Sequence, residues 1–207
     1  MHAFAGCVMN KYASKYDFQN AKTEEAIKNA FLDLSAGKKM VTVSAICERV
    51  GINRSTFYRH FEDIYDLVDH YREDLLSELR SLFFDIIKPD SFNEDGTIKQ
   101  SVIKRVLYNC HHRKREIIVL VDTNQYGRFQ NDFAELIEEA TNRVLDNYTW
   151  KYPKYKAYIS ARQAYGATAT IVRWLREEDM SLNEFSRFFT ETIYNAMELR
   201  RAVNKWE

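Results

Sequence analysis

Apolar side chains recur along this chain at intervals of three and four residues, the period of a helix with one buried face. Ala26, Ile27, Ala30, Phe31 and Leu34 make the first such face, and Gly37 is placed to end it. Thr42 suits the N-cap of a short helix running to Val50, which Gly51 terminates, and Asn53 suits the N-cap of a second short helix ending near Phe61. A long pattern follows through Ile64, Leu67, Val68, Tyr71, Leu75, Leu79, Leu82, Phe83 and Ile86. It predicts about six turns, roughly 35 Å of helix at ~1.5 Å per residue. Pro89 and the polar residues as far as Thr97 break it. Val102, Ile103, Val106, Leu107 and Cys110 mark the next helix. Phe129, Phe133, Leu136, Ile137, Ala140 and Val144 mark another, with Pro153 in the loop beyond. Two long helices finish the chain. One covers 155–177 and is rich in small residues. The other starts at Ser181, where Glu184 three positions on completes a capping box, and carries Phe185, Phe188, Phe189, Thr192, Ile193, Ala196 and Met197 along one stripe. Residues 1–20 show no periodicity and are expected to form a leader.

Only six glycines and two prolines occur in 207 residues. Sheet proteins need turn residues every few positions, so this scarcity points to an all-α fold. The overall charge is zero, which suggests no partner, but its distribution does. Residues 1–61 hold nine Lys or Arg against five Asp or Glu, a net +4; residues 62–207 hold 21 against 25, a net −4. A basic first third on an acidic remainder suits a phosphate-binding module on a non-binding body. Cys7, Cys47 and Cys110 are odd in number and lack metal-ligand spacing, so they read as reduced thiols of a cytoplasmic protein. No signal peptide is expected. The longest aliphatic run, Ile117 to Val121, is far below the roughly 20 residues that span a bilayer, so no membrane partner is expected either.

The stretch from Thr42 to Phe61 carries the functional signal. Two short helices crossing steeply need a small residue at their closest approach, and Cys47 fills that place. Gly51 supplies the left-handed backbone of the turn. Ile46, Val50, Ile52 and Phe57 are placed to bury the pair against Ile27 and Phe31. Arg54, Ser55, Tyr58 and Arg59 then remain on the outer face of the second helix. Such a face can enter the major groove of duplex DNA.

The same residues resemble the TetR family signature, in which an Ile-Ala pair, a Gly turn and a Thr-(Phe/Leu)-Tyr-x-His-Phe recognition helix lead into a long connecting helix, with Cys47 here in place of the usual and similarly small Ala. Here these are Ile46-Cys47, Gly51 and Thr56-Phe57-Tyr58-Arg59-His60-Phe61, over a match of roughly residues 23–70. The resemblance implies about nine helices: a leader at 1–20, a three-helix DNA-binding domain at 21–67, and a helical ligand-binding and dimerisation domain at 68–207. It assigns phosphate contacts to Thr42, Thr56, Tyr58 and His60, and base reading to Ser44, Arg54, Ser55 and Tyr58. Arg54 is the natural reader of a guanine, because its fork matches the O6/N7 pair. His60 is equally a packing residue. Ile64, preceded by Glu62 and Asp63, stands where the family commonly has Lys. A phosphate clamp there is expected to be missing or supplied by Arg59 or by Lys11, Lys15 and Lys22.

For the remainder, the resemblance implies a homodimer on a palindromic operator, acting as a repressor that a small-molecule effector releases. Ala161, Ala164 and Thr168 would let helices approach closely, with Phe185, Phe189 and Ile193 filling the seam. Tyr108, Phe129, Phe133, Tyr165 and Trp174 are candidate effector contacts. Residues 166–182 also resemble a branch of the family that includes activators of dihydroxyacetone-kinase operons, which answer to a protein partner, so a partner protein is the alternative effector. His111 and His112 are adjacent and diverge by about 100° on a helix, so they cannot face one metal ion. No cofactor is expected, nor an enzyme: the sequence has no phosphate loop, nucleophile elbow or metal-ligand set.

Overall fold

The computed structural model describes residues 15–36, 40–86, 88–94, 97–123, 128–146 and 148–203. Among them are nine α-helices, one short 3-10 turn at Pro89–Ser91 and no strand beyond a single bridge between Phe92 and Ile98. The fold is all-α. No helix among the described residues is long and apolar enough to cross a membrane. The chain divides into two compact units, Met1–Leu67 and Val68–Glu207.

In the first unit, α1 (Lys15–Ser35) packs on α2 (Val43–Val50), and α2 packs on α3 (Arg54–Phe57). Ile27 and Phe31 from α1, Ile46 and Cys47 from α2, and Phe57 from α3 are buried; Val50 and Ile52 are only half-buried. Helix α1 starts at Lys15, inside the leader expected over 1–20. The proposed stop Gly37, the Cys7 thiol and the Lys11 and Lys15 side chains lie outside the described residues.

The second unit continues α4 (Ile64–Ile86) and adds α5 (Gln100–His112), α6 (Lys114–Asp122), α7 (Phe129–Leu145), α8 (Lys154–Glu177) and α9 (Leu182–Val203). Helices α7 and α8 form the most extensive pair, α5 lies on α9, and α8 on α9. Helix α6 was not anticipated from the apolar pattern. It follows α5 after one residue, Arg113 (φ −100°, ψ 20°), through hydrogen bonds from Arg113 N to Asn109 O and from Ile117 N to Arg113 O. Between α4 and α7, Phe133 is the meeting point: it lies 6.4 Å from Phe83 and stacks on Phe129 at 5.7 Å.

The α8–α9 junction is the most tightly specified corner of this unit. Trp174 stacks face to face on Phe185 at 4.3 Å, and its indole N–H donates to Met180 O at 2.9 Å. The expected capping box forms: Ser181 N donates to the Glu184 carboxylate at 2.9 Å, and Glu184 N donates to Ser181 Oγ at 3.3 Å. Between them, Glu178 ends α8 in the left-handed region (φ 47°, ψ 32°), unusual for a residue with a side chain. Its carboxylate pairs with Lys114 at 2.6 Å and His111 at 3.3 Å. The Lys114 hydrogen bond holds that carboxyl below the usual range.

The two contributions at Glu178 oppose each other. Exposed ion pairs contribute little to stability, whereas a left-handed side-chain residue costs about 1–2 kcal/mol. Glu178→Ala loses the pairs and keeps the strain; Glu178→Gly loses the pairs and relieves it. Glycine at this position is therefore expected to be more stable than alanine by about 1 kcal/mol in urea unfolding. Equal midpoints for the two variants would show that the turn stores no strain.

Candidate functional site

The helix-turn-helix is built from local hydrogen bonds that its sequence dictates. Thr42 takes extended backbone (φ −117°, ψ 153°), and its hydroxyl oxygen accepts from Ala45 N at 3.2 Å, capping α2. At the other end Gly51 sits at φ 77°, ψ 33°, and the amides of Gly51 and Ile52 both donate to Cys47 O, at 2.9 and 3.0 Å. A Cβ placed on Gly51 would meet nothing within 4 Å. The constraint there is backbone conformation, not space. Asn53 then caps α3: its side-chain oxygen accepts from Thr56 N and from Ser55 Oγ, each at 2.7 Å. Helix α3 itself is a single turn, continued as turn structure through His60 and shorter than the helix expected to end near Phe61.

What α3 presents outward is polar and basic. Arg54, Ser55 and Arg59 are exposed, and the Tyr58 ring is 54% exposed with its edge against Phe57 at 5.7 Å. Arg54 Nη2 donates to Ser44 Oγ, so two of the expected base-reading residues, one from each short helix, meet. Arg59 donates to Thr56 Oγ1 at 3.3 Å, which joins the half-buried Thr56 to the exposed row. His60 is half-buried, its ring tilted against Phe61 at 6.4 Å. Thr42 and Ser44 are exposed at the head of α2. Beneath this surface, burial pushes the Cys47 thiol up against the opposing pull of the Arg54 charge, so the thiol stays neutral. An Arg49–Asp33 pair at 2.9 Å ties α2 to α1.

One feature of the site is not evident from residue type alone. Asp63 accepts from Asp66 N at 2.9 Å, and Asp66 accepts in return from Glu62 N at 2.8 Å. Asp63 thus caps an amide in the first turn of α4 while Asp66 reaches back to the amide of Glu62, which sets two carboxylates at the head of the helix. The S/T-x-x-E pattern is the usual sequence sign of a capping box; here Asp stands at both positions.

The second candidate site is a cavity of about 390 Å³ inside the C-terminal unit. Phe83 of α4, Ile103 and Val106 of α5, Ile137, Ala140 and Val144 of α7, Ala167 and Ile171 of α8, and Phe189 and Ile193 of α9 are among its walls. None of the aromatic residues expected to touch an effector lines it. Phe129 and Phe133 are buried against each other, and Trp174 is buried on Phe185. Tyr108 and Tyr165 are 55% and 49% exposed, and Tyr108 stacks on His112. Those five became core or surface, while Phe83 and Phe189 line the cavity together with mostly β-branched and small residues. His111 turns instead to Trp174, 5.4 Å away, so the two histidines do diverge.

The residues expected at a dimer seam lie mostly inside the subunit. Ala164, Thr168, Phe185 and Phe189 are buried within the subunit, and only Ala161 and Ile193 remain half-buried. Those stripes face neighbouring helices of the same chain because α7 packs on α8 and α5 on α9. The side chains of Ala196 and Met197 lie outside the described residues.

Two capped short helices around a left-handed glycine, with a basic and aromatic outer face, define a helix-turn-helix DNA-binding protein. Residues 36–71 match the family of bacterial regulatory proteins described as the tetR family. The fold is similar to that of the dihydroxyacetone kinase operon activator DhaS, with a TM-score of 0.58 at 18% identity over 88% of this chain and 98% of that one. It is also similar to a TetR transcriptional regulator from Streptococcus agalactiae 2603V, with a TM-score of 0.61 at 20% identity over 86% of this chain and 97% of that one. No curated protein sequence matches the chain. The tetR-family match is thus confined to the segment 36–71 that holds the helix-turn-helix, and the likeness beyond it is one of fold.

The glycine turn gives a clean test of what holds the site. Gly51→Ala meets no atom, so its expected cost of about 1–2 kcal/mol is conformational. Gly51→Asn, which tolerates the left-handed region better, is expected to cost less. Equal losses for both, measured by chemical unfolding, would mean the turn is not held in that conformation.

Proposed function

We propose that this regulator is a homodimeric repressor that binds a palindromic operator through α3 and is released by a small-molecule effector held in the C-terminal cavity. The observation that carries the DNA-binding reading is the exposed α3 face with Arg54 held by Ser44. Fixing a guanidinium before binding lowers the ordering cost of presenting its fork to a guanine edge. Ser55 and Tyr58 flank it as base readers, and Thr42, Thr56, Arg59 and His60 surround it as phosphate contacts. The two carboxylates at the start of α4 repel a phosphate there, so these side chains carry the backbone grip.

A homodimer is the natural form, because one short helix covers too few base pairs for specificity. The seam falls on the outward residues of α8 and α9: Tyr158, Tyr165 and Ala169, with Phe188, which is 46% exposed. The cavity supports the effector reading: its volume lies in the usual range of small-molecule sites, ~300–1,000 Å³. An effector acts only through its preference between DNA-competent and incompetent states, commonly about 1–3 kcal/mol. Helix α4 belongs in part to each unit and is the covalent route for that preference. The likeness to an operon activator favours a second reading, in which the chain activates transcription and answers to a partner protein.

Selection of bound fragments from random duplexes tests the proposal. The expected product is a palindrome, bound with steep salt dependence, each lost phosphate contact flattening the log–log slope by about 0.9. Thr56→Ala is expected to weaken all sequences alike, and Arg54→Ala to relax one base pair per half-site at a cost of about 1–3 kcal/mol. Unchanged preference in Arg54→Ala would remove Arg54 as a base reader.

A further inference from the structure

The chemistry of the cavity wall narrows the class of molecule it takes. Most of the wall is aliphatic or phenyl, and no Asp or Glu belongs to it among the described residues. The polar side chains there are Thr141, Thr170, Thr192, Arg162 and Gln163. The three threonines have each committed their hydroxyl proton to their own helix: Thr141 to Ile137 O at 2.8 Å, Thr170 to Gly166 O and Thr192 to Phe189 O, both at 2.7 Å. They have no proton left to donate to a ligand. Arg162 and Gln163 are different: neither makes a hydrogen bond or ion pair among the described residues. They are neighbours on α8, and Arg162 is exposed, so the available donors and the sole charge gather at one edge of the cavity.

We infer that this cavity binds an amphipathic anion, an apolar body with one carboxylate-type head group, the head meeting Arg162 and Gln163 at the rim. Charge complementarity selects the head. A guanidinium offers paired donors that suit a carboxylate, and no nearby wall carboxylate neutralises it. A cationic head would face repulsion, and a neutral alcohol would find only a weaker hydrogen bond. The wall selects the body: about 390 Å³ of mostly apolar space accepts a medium-length alkyl chain or a small fused-ring skeleton. The inference names the ligand class for the effector role proposed above, but binding itself does not require that role.

Calorimetric titration of the full chain with decanoate, decanol and decylammonium, which share one chain length, reads the head-group preference directly. Decanoate is expected to bind at least about tenfold more tightly than either of the others. Arg162→Met, at an exposed position that keeps the apolar stem, is expected to bring decanoate down to the affinity of decanol. Arg162→Lys is expected to keep part of the preference. Ala167→Phe, which narrows the cavity, is expected to weaken all three ligands together while the variant stays folded by circular dichroism. Equal binding of the three ligands, no binding of any, or a preference that survives Arg162→Met would overturn the inference. DNA binding by the ligand-free chain is measured separately. A chain that binds DNA but no decanoate leaves the DNA-binding proposal standing, and one that binds decanoate but no DNA removes that proposal and not this one.

Discussion

The left-handed backbone at Gly51 is the constraint on which the DNA-reading surface depends. Its φ of 77° lets the amides of Gly51 and Ile52 close on Cys47 O, ending α2 and turning the chain sharply. Asn53 can then cap α3 two residues later, and Phe57 enters the core beneath. With that aromatic fixed inside, Arg54 and Ser55 of α3 and the following Tyr58 and Arg59 face outward, and Thr56 is half-buried. Arg54, Ser55, Tyr58 and Arg59 are therefore exposed as a consequence of the turn. The hydrogen bond from Arg54 to Ser44 follows too, since it needs the two short helices at this crossing.

The C-terminal unit is organised by a different economy. Its helices are long, and their aromatic residues mostly serve closure: Trp174 on Phe185 at the α8–α9 junction, Phe129 on Phe133 within α7. Space left between α5, α7, α8 and α9 is bounded by smaller side chains. The cavity stays open because most of the side chains that bound it are too short to reach across.

What could be read from the sequence was whatever is encoded locally. Thr42, Gly51, Asn53 and the Ser181–Glu184 box act within four residues of themselves, so their roles follow from residue type and order. The long helices were legible for the same reason, since their apolar period is a property of one segment. Helix α6 was hidden because only Arg113 separates it from α5, and the basic run across that joint reads as a solvated helix end. The buried stripes of α8 and α9 were legible only in part. Small residues and phenylalanines at helical spacing announce that a face is covered, but not by which neighbour. Ala164, Thr168, Phe185 and Phe189 proved to be covered from within the chain. The cavity walls were illegible because they are a residue of packing: valines, isoleucines and alanines from five helices that no short segment brings together.

The central claim is that α3 reads DNA in two symmetric copies, and a hydroxyl-radical footprint of the full chain on a selected duplex tests it most directly. The account predicts two equivalent protected segments about a dyad, centred about 34–36 Å apart or slightly more, on major-groove faces. Both should vanish together in the Arg54→Ala, Tyr58→Ala double variant while the protein remains folded. A single asymmetric footprint, or one that persists in that variant, would contradict it.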